Sequence, residues 1–497
     1  MLPAMWSSSW SLTQAIMALA FVTIVTYGYN AQSRWKLRSI PGPTPAWLVG
    51  NLRELRARNG IHLTLESWYQ QYGPIYKFFL GRAPIVVVTE PDLLKQIFTK
   101  SFMKFHDRPE LQMRVNEGNE LTAQGMLSAR VDFRAQQDAS SALVQHSLNV
   151  FRPASGTAFT LVRSLLVCFP FLISAVAQVL AYTQLARVTH IAGARGYLKG
   201  ASEALLKNAR ANSSKAGSTA ALAPDTDIGI GARGLLDRWT ESPAHKTFAQ
   251  AYAEGRRDYE REVPGNQSLL HNLMAAKQKH NGQPLTDTQI SAQSFTFILA
   301  GYETTSMALT YALYELSRSP VMQQRLVDEV DQFGRGKEPA FADMAQFPFA
   351  DAVLKEGMRL HPPVTPLIGL TREATEDVVL GTHQIPAGTR IWINVLSLHL
   401  DDKYFPNAKE FMPDRFLEPD SKPSHHPYAY IPFGAGPRKC IGYKFATMEG
   451  VLALVRLYQR FTFTLNDQKH GGKPLEHESL ITLMPKGGVW LNVHSRS

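Results

Sequence analysis

Hydrophobic and polar positions alternate along this chain in ways that predict a few long helices, several short strands and one apolar N-terminal segment. From 286 to 317, residues Ile290, Phe295, Phe297, Ile298, Leu299, Met307, Leu309, Leu313 and Leu316 give a helix that is apolar on nearly every side, as in a helix running through a core. Into it is set a polar island, Ala300-Gly301-Tyr302-Glu303-Thr304-Thr305, costly to bury unless its groups are bonded or used. Gly301 weakens the helix and Thr304 can bond a carbonyl one turn back, so a local kink is expected. A second helical run ends at His361-Pro362-Pro363 and carries Glu356 and Arg359 three residues apart on one face. Another helix begins near Ile441. Strand-like runs occupy 75–80, 85–89 and 378–393, and a closing hairpin is expected at 481–493. The predicted class is mainly α with small β regions.

Residues 1–33 contain no charged side chain, and the apolar stretch 12–29 is long enough, at about 18 to 20 residues, to cross a hydrocarbon core. Trp10, Tyr27 and Tyr29 sit near its ends, and Arg34, Lys36 and Arg38 follow, so the pattern reads as one membrane helix with the body in the cytosol. A cleaved signal peptide would need a positive start and a better cleavage site. The prolines of Ile40-Pro41-Gly42-Pro43-Thr44-Pro45 then stiffen the chain. A second uncharged stretch, 164–186, is interrupted by Pro170 and is expected to dip into the membrane surface rather than span it; 213–227 reads as a flexible loop.

Composition narrows the picture. With 497 residues, 44% hydrophobic and 19% charged, the chain supports a large core, read as one catalytic domain, 39–497, behind an anchor, 1–38. Its two cysteines, Cys168 and Cys440, exclude a disulfide framework and suit a reducing, cytosol-facing location. The net charge of +10 is scattered, without a basic run interleaved with aromatics, which argues against nucleic acid. An acidic protein partner or an anionic membrane fits it better. Gly229-Ile230-Gly231-Ala232-Arg233-Gly234 matches a dinucleotide fingerprint, but no strand precedes it, so the match reads as chance.

The chemistry concentrates at Phe433-Gly434-Ala435-Gly436-Pro437-Arg438-Lys439-Cys440-Ile441-Gly442. Glycines at 434, 436 and 442 allow turns and the close approach of a flat ligand. A cysteine at the start of a helix faces unpaired N–H groups that favour the thiolate. Such a sulfur suits haem iron, and a thiolate ligand favours O–O cleavage.

This loop resembles the haem-binding signature of the cytochrome P450 superfamily. The resemblance implies the cytochrome P450 fold behind an N-terminal transmembrane helix, haem b (iron protoporphyrin IX) and Cys440 as the iron ligand. Ala300 to Thr305 resembles the superfamily's central-helix motif, which gives Glu303 and Thr304 the proton-relay roles. Glu356 and Arg359, with Arg415 of Phe411-Met412-Pro413-Asp414-Arg415-Phe416, resemble the triad that locks the cysteine loop. Arg372 and Arg438 match the propionate partners, and Phe433, Gly434, Gly436 and Gly442 complete the cofactor-binding set. The family's Trp-x-x-x-Arg is replaced by Phe133-Arg134-Ala135-Gln136-Gln137, with Arg130 or Arg134 as substitutes, and residues 126–286 fit the family poorly. Expected pocket walls are Ile298, Ala300, Thr304, Val364, Ile368, Ile481 and the loop 109–127.

The implied activity is a monooxygenase inserting one oxygen atom into a lipophilic small molecule, with secondary metabolites, steroids, terpenoids and xenobiotics all open. Electrons would come from NADPH through a cytochrome P450 reductase, with cytochrome b5 as a further partner, at the endoplasmic reticulum membrane. The alternatives are an oxygen-independent haem-thiolate isomerase or dehydratase and a non-catalytic degenerate paralogue.

Overall fold

A computed structural model describes residues 35–46, 49–57, 60–81, 83–107, 273–274, 276, 282–364, 370–417, 425–479 and 482–496. The apolar stretches 12–29 and 164–186, the loops 109–127 and 213–227, the 229–234 glycines and Phe133 to Gln137 lie outside the described residues. Among the described residues no helix is long and apolar enough to cross a membrane.

Two helices, α1 (Leu52–Ala57) and α2 (Ile61–Tyr72), lead into the antiparallel strands β1 (Ile75–Leu80) and β2 (Ala83–Val88). A short helix, α3 (Pro91–Lys95), runs into a π-type turn, Gln96–Lys100. The predicted core helix is α4 (Asp287–Arg318), 32 residues long. Its start is fixed by a capping box: Gln289 N–H donates to Thr286 Oγ1 at 3.2 Å, and Thr286 N–H to Gln289 Oε1 at 2.9 Å. Proline opens both α5 (Pro320–Phe333) and α6 (Pro348–Leu360), where its missing N–H costs nothing. The first amides of α6, which have no partner within the helix, are capped from α5, since the Glu329 carboxylate accepts from Phe349 N–H at 2.7 Å and Ala350 N–H at 2.9 Å.

The chain then forms β3 (Thr371–Glu373), β4 (Val378–Leu380), β5 (His383–Ile385), β6 (Arg390–Ile393) and α7 (Val395–His399). The last long helix is α8 (Tyr443–Arg460), followed by β7 (Phe461–Leu465) and α9 (Asp467–His470). Helices α4, α5, α6 and α8 share one core, in which Ala312, Leu316, Val330, Val353, Leu354 and Leu454 meet. Small residues set their spacing. A Cβ on Gly357 of α6 would lie 3.2 Å from Ala312 Cα of α4, and one on Gly450 of α8 would lie 2.6 Å from Leu354 Cδ2.

A second core lies under a four-stranded sheet of order β1-β2-β6-β3, in which β2 and β6 run parallel, with Ile85 opposite Arg390 and Val88 opposite Ile393. The unbroken buried run from Ile85 to Val88 is what a strand covered on both faces requires.

Two boundaries differ from the sequence reading. The last helix begins at Tyr443 with Gly442 at its cap, two residues later than the expected start near Ile441, so Cys440 stands two residues before the cap. The expected hairpin at 481–493 resolves into two pairings: β8 (His477–Ser479) with β9 (Leu483–Pro485), and β10 (Leu491–Ser495) with β7. Gly487 and Gly488, at φ +77° and +80°, redirect the chain after β9.

Candidate functional site

Cys440 closes a tightly folded loop. Gly434 N–H donates to Ile431 O at 2.9 Å, Lys439 N–H to Gly436 O at 3.0 Å, and Cys440 N–H to Phe433 O at 2.9 Å. Gly434 and Gly436 hold φ of +71° and +70°, a region L side chains avoid. The space around them is also closed, because a Cβ on Gly436 would meet Phe98 O at 2.0 Å and one on Gly434 would meet Leu370 Cδ2 at 2.8 Å. Nothing lies within 4 Å of the Cβ position of Gly442. Phe433 is half-buried against the helical core, Cys440 is half-exposed, and Arg438 is exposed.

The loop's seat brings a cation with it. Arg372, on β3, is 1% exposed; its guanidinium lies 4.9 Å from the Phe98 ring centroid, and its Nη1–H donates to Thr371 O at 2.7 Å. The loop therefore rests on Phe98 and Leu370 with a buried guanidinium beside it, chemistry suited to an anionic group on a flat ligand. A sulfur donor on a loop whose Gly434 and Gly436 leave no room for a Cβ, with this cation against the Phe98 on which the loop rests, fits an iron porphyrin.

The start of the loop is held by a residue that sequence patterning did not single out. His399, fully buried at the end of α7, accepts the Ile431 N–H at Nε2, 3.1 Å away, and its ring stacks on Tyr430 at 5.3 Å. Burial, then the neighbouring Arg359 guanidinium, pull its pKa down to about 3, which keeps the ring neutral and able to accept. Nothing in the local pattern of Leu398-His399-Leu400 signals that role.

The triad assembles as expected and reaches further than an ion pair. Arg359 and Glu356 are both fully buried and form a bidentate fork, Nε to Oε2 at 2.7 Å and Nη2 to Oε1 at 2.8 Å. The rest of the Arg359 guanidinium donates to three carbonyls: His399 O at 2.7 Å, Ala408 O at 2.6 Å and Glu410 O at 3.1 Å. Glu356 Oε1 in turn accepts from Met412 N–H at 2.9 Å and Arg415 Nε–H at 3.3 Å. One side-chain pair thus pins the whole connection from α7 to the segment before the cysteine loop.

On α4, Thr304 Oγ1–H donates to Ala300 O at 2.7 Å, the bond one turn back that its spacing allows. Glu303 is only 1% exposed, and among the described residues neither carboxylate oxygen has a hydrogen-bond partner. Burial alone raises its pKa, so the carboxyl holds a proton to higher pH than a solvated one. A helix-surface glutamate would show neither property. A buried carboxyl left unpaired is rare in a folded protein, which makes Glu303 a candidate functional group. Among the described residues nothing lies within 4 Å of the Cβ position of Gly301, and Ala300 and Thr304 are half-buried.

Of the expected pocket walls, Val364 forms a bridge with Thr482. Ile368, Ile481 and the Ile298 side chain lie outside the described residues. The structure also gathers side chains that the sequence reading did not connect. His361 Nε2 lies 2.7 Å from Glu315 Oε1, and His361 Nδ1 lies 3.1 Å from His477 Nε2.

Comparison with known proteins identifies the family of the chain. The family described as Cytochrome P450 matches residues 40–137 and 239–492. The chain is 27% identical to cytochrome P450 3A12 of Canis lupus familiaris over 100% of this chain and 98% of that protein. It is also 27% identical to thromboxane-A synthase of Rattus norvegicus, over 98% of this chain and 97% of the relative. A third match, cytochrome P450 4c21 of Blattella germanica, reaches 40% identity over 41% of this chain and 40% of that protein.

Proposed function

Because the chain belongs to the cytochrome P450 family, whose members are haem-thiolate oxidoreductases of the monooxygenase type, we propose that it inserts one atom of dioxygen into a lipophilic small molecule. Bound through the Cys440 thiolate, iron porphyrin supplies dioxygen activation. Arg372 and Arg438 would hold its carboxylates. The chain's own part in the reaction is proton supply: Glu303 would hold a proton at its buried carboxyl and pass it toward Thr304 Oγ1. The observation that carries this reading is the buried Glu303 carboxyl, without a hydrogen-bond partner among the described residues, one position before Thr304 in the sequence. Electrons are assigned to NADPH through a separate reductase, with cytochrome b5 as a further donor. The location is assigned to the endoplasmic reticulum membrane, held by the segment 12–29, with the catalytic domain in the cytosol. Secondary metabolites, steroids, terpenoids and xenobiotics are the candidate substrates.

Similarity to proteins named thromboxane-A synthase favours a second reading, an oxygen-independent haem-thiolate isomerase. One experiment separates the two. The reduced protein is expected to give a carbon-monoxide difference spectrum of thiolate type, absent from Cys440→His. Turnover of a lipophile panel should then require NADPH and a reductase. Turnover of a peroxide substrate without NADPH favours the isomerase, and a nitrogen-type spectrum in the unmodified protein overturns both.

A further inference from the structure

Among the described residues the hairpin of β8 and β9 is tied to the body of the protein at three points. Leu483 N–H donates to Pro363 O at 2.9 Å, which pairs Thr482 with Val364, and Tyr311 Oη–H on α4 donates to Leu483 O at 2.6 Å. The third tie is the side-chain relay Glu315–His361–His477. Tyr311 and Glu315 stand one turn apart on the helix that carries Glu303 and Thr304, so the hairpin is referenced to the proton-delivery helix twice.

The relay's chemistry is directional. A carboxylate only accepts, so His361 must present N–H at Nε2 to Glu315. A neutral His361 then has a lone pair at Nδ1, which requires N–H at His477 Nε2. A protonated His361 has N–H at Nδ1 and requires a lone pair there instead. Either way, one hydrogen lies between the two rings, and the link is broken only when both rings are protonated at once. Burial, then the nearby His361 and His62, pull the His477 pKa down to about 3, so that state is absent at ordinary pH. The ring is also packed, 5.7 Å from Tyr311 and 6.2 Å from His62.

We propose that His477 is a positioning residue that, through His361 and Glu315, sets the distance of the β8–β9 hairpin from Val364 and so the fit of ligands beside the haem. This rests on the haem-thiolate reading and on Val364 as a pocket wall. The carboxamide nitrogen of glutamine can stand where Nε2 does and donate; asparagine is too short to reach His361; phenylalanine keeps the ring contacts and loses the hydrogen bond.

The test uses the full haem-loaded chain with two iron-binding probes: imidazole, which needs little room, and 4-phenylimidazole, which must also fit the pocket wall. Dissociation constants are read from the shift of the haem absorption band, with haem content and melting temperature measured alongside. For His477→Phe, loss of one hydrogen bond is expected to weaken 4-phenylimidazole about threefold or more while leaving imidazole within about twofold. His477→Gln is expected to restore 4-phenylimidazole to within about twofold of the unmodified chain. If His477→Phe does not retain haem, His477→Asn takes its place with the same expectation. Unchanged 4-phenylimidazole binding in the variant lacking the link overturns the proposal, as does equal weakening of both probes or failure of glutamine to rescue. An unmodified chain that gives no shift with imidazole overturns the haem reading beneath it, a result distinguishable from the others because it precedes any substitution.

Discussion

At Glu303, burial and function pull against each other. Among the described residues its carboxyl has no hydrogen-bond partner, and burial raises its pKa; the native state therefore binds the proton more tightly than the unfolded chain does. The sign of the pH effect follows: this group's contribution is full below the unfolded carboxylate range and is lost as pH rises through the higher native value. Replacement by glutamine removes that dependence. Between about pH 5 and about pH 8 the melting temperature of Glu303→Gln should fall less than that of the unmodified protein. Its turnover should drop by about a hundredfold or more, the usual scale for losing a positioned acid. Parallel melting curves across that range would show that the carboxyl ionises freely and is no reservoir. The identity of this residue could be read from the polar island in an apolar helix, but its burial could not, because hydrophobic residues surround the island on every side. His399 left no trace in the pattern at all, since a histidine between two leucines is equally compatible with core packing and with holding Ile431.

The unit that secures the cysteine loop is the end of α6, and its strength comes from the number of bonds converging on one fork. Removing Glu356 would leave Arg359 buried, still beside Arg415 and with three carbonyls as its remaining partners, a change expected to cost roughly 3 to 5 kcal/mol. Glu356→Ala should therefore purify with a lowered melting temperature and with little haem per chain, measured from the haem absorption band against protein. Arg415→Ala should be milder, because its contact with Glu356 is a single bond at 3.3 Å; equal losses from both would show that the fork is not the centre of the unit. The Glu356 to Arg359 spacing was legible as one helix face. The carbonyls that complete it lie 40, 49 and 51 residues further on, and no local pattern reports which loop folds back that far. The same holds for the His361 to His477 link, separated by 116 residues.

Over the whole molecule, buried neutral histidines set the acid limit of stability. His399 and His477 both have pKa values lowered to about 3 by burial, whereas an unfolded histidine titrates near 6.5. Their contribution is complete above that unfolded value and is lost as pH falls from it toward 3, amounting to roughly a few kcal/mol each. His399→Gln, which keeps an acceptor for Ile431, should show a shallower decline in melting temperature between about pH 6.5 and about pH 4.5 than the unmodified chain. Matching slopes would remove His399 from the account. At this scale the helix-rich class and the order of elements were legible, because periodicity reports them. Which strands join was not, and that pairing governs how the chain is made. Strand β2, at 83–88, is saturated on one side by β6, at 390–393, so on the ribosome its row of valines must wait, unpaired, for most of translation to finish. A nascent or truncated product that stops short of β6 carries a sticky apolar border with open amides, a template for self-association that the finished protein conceals.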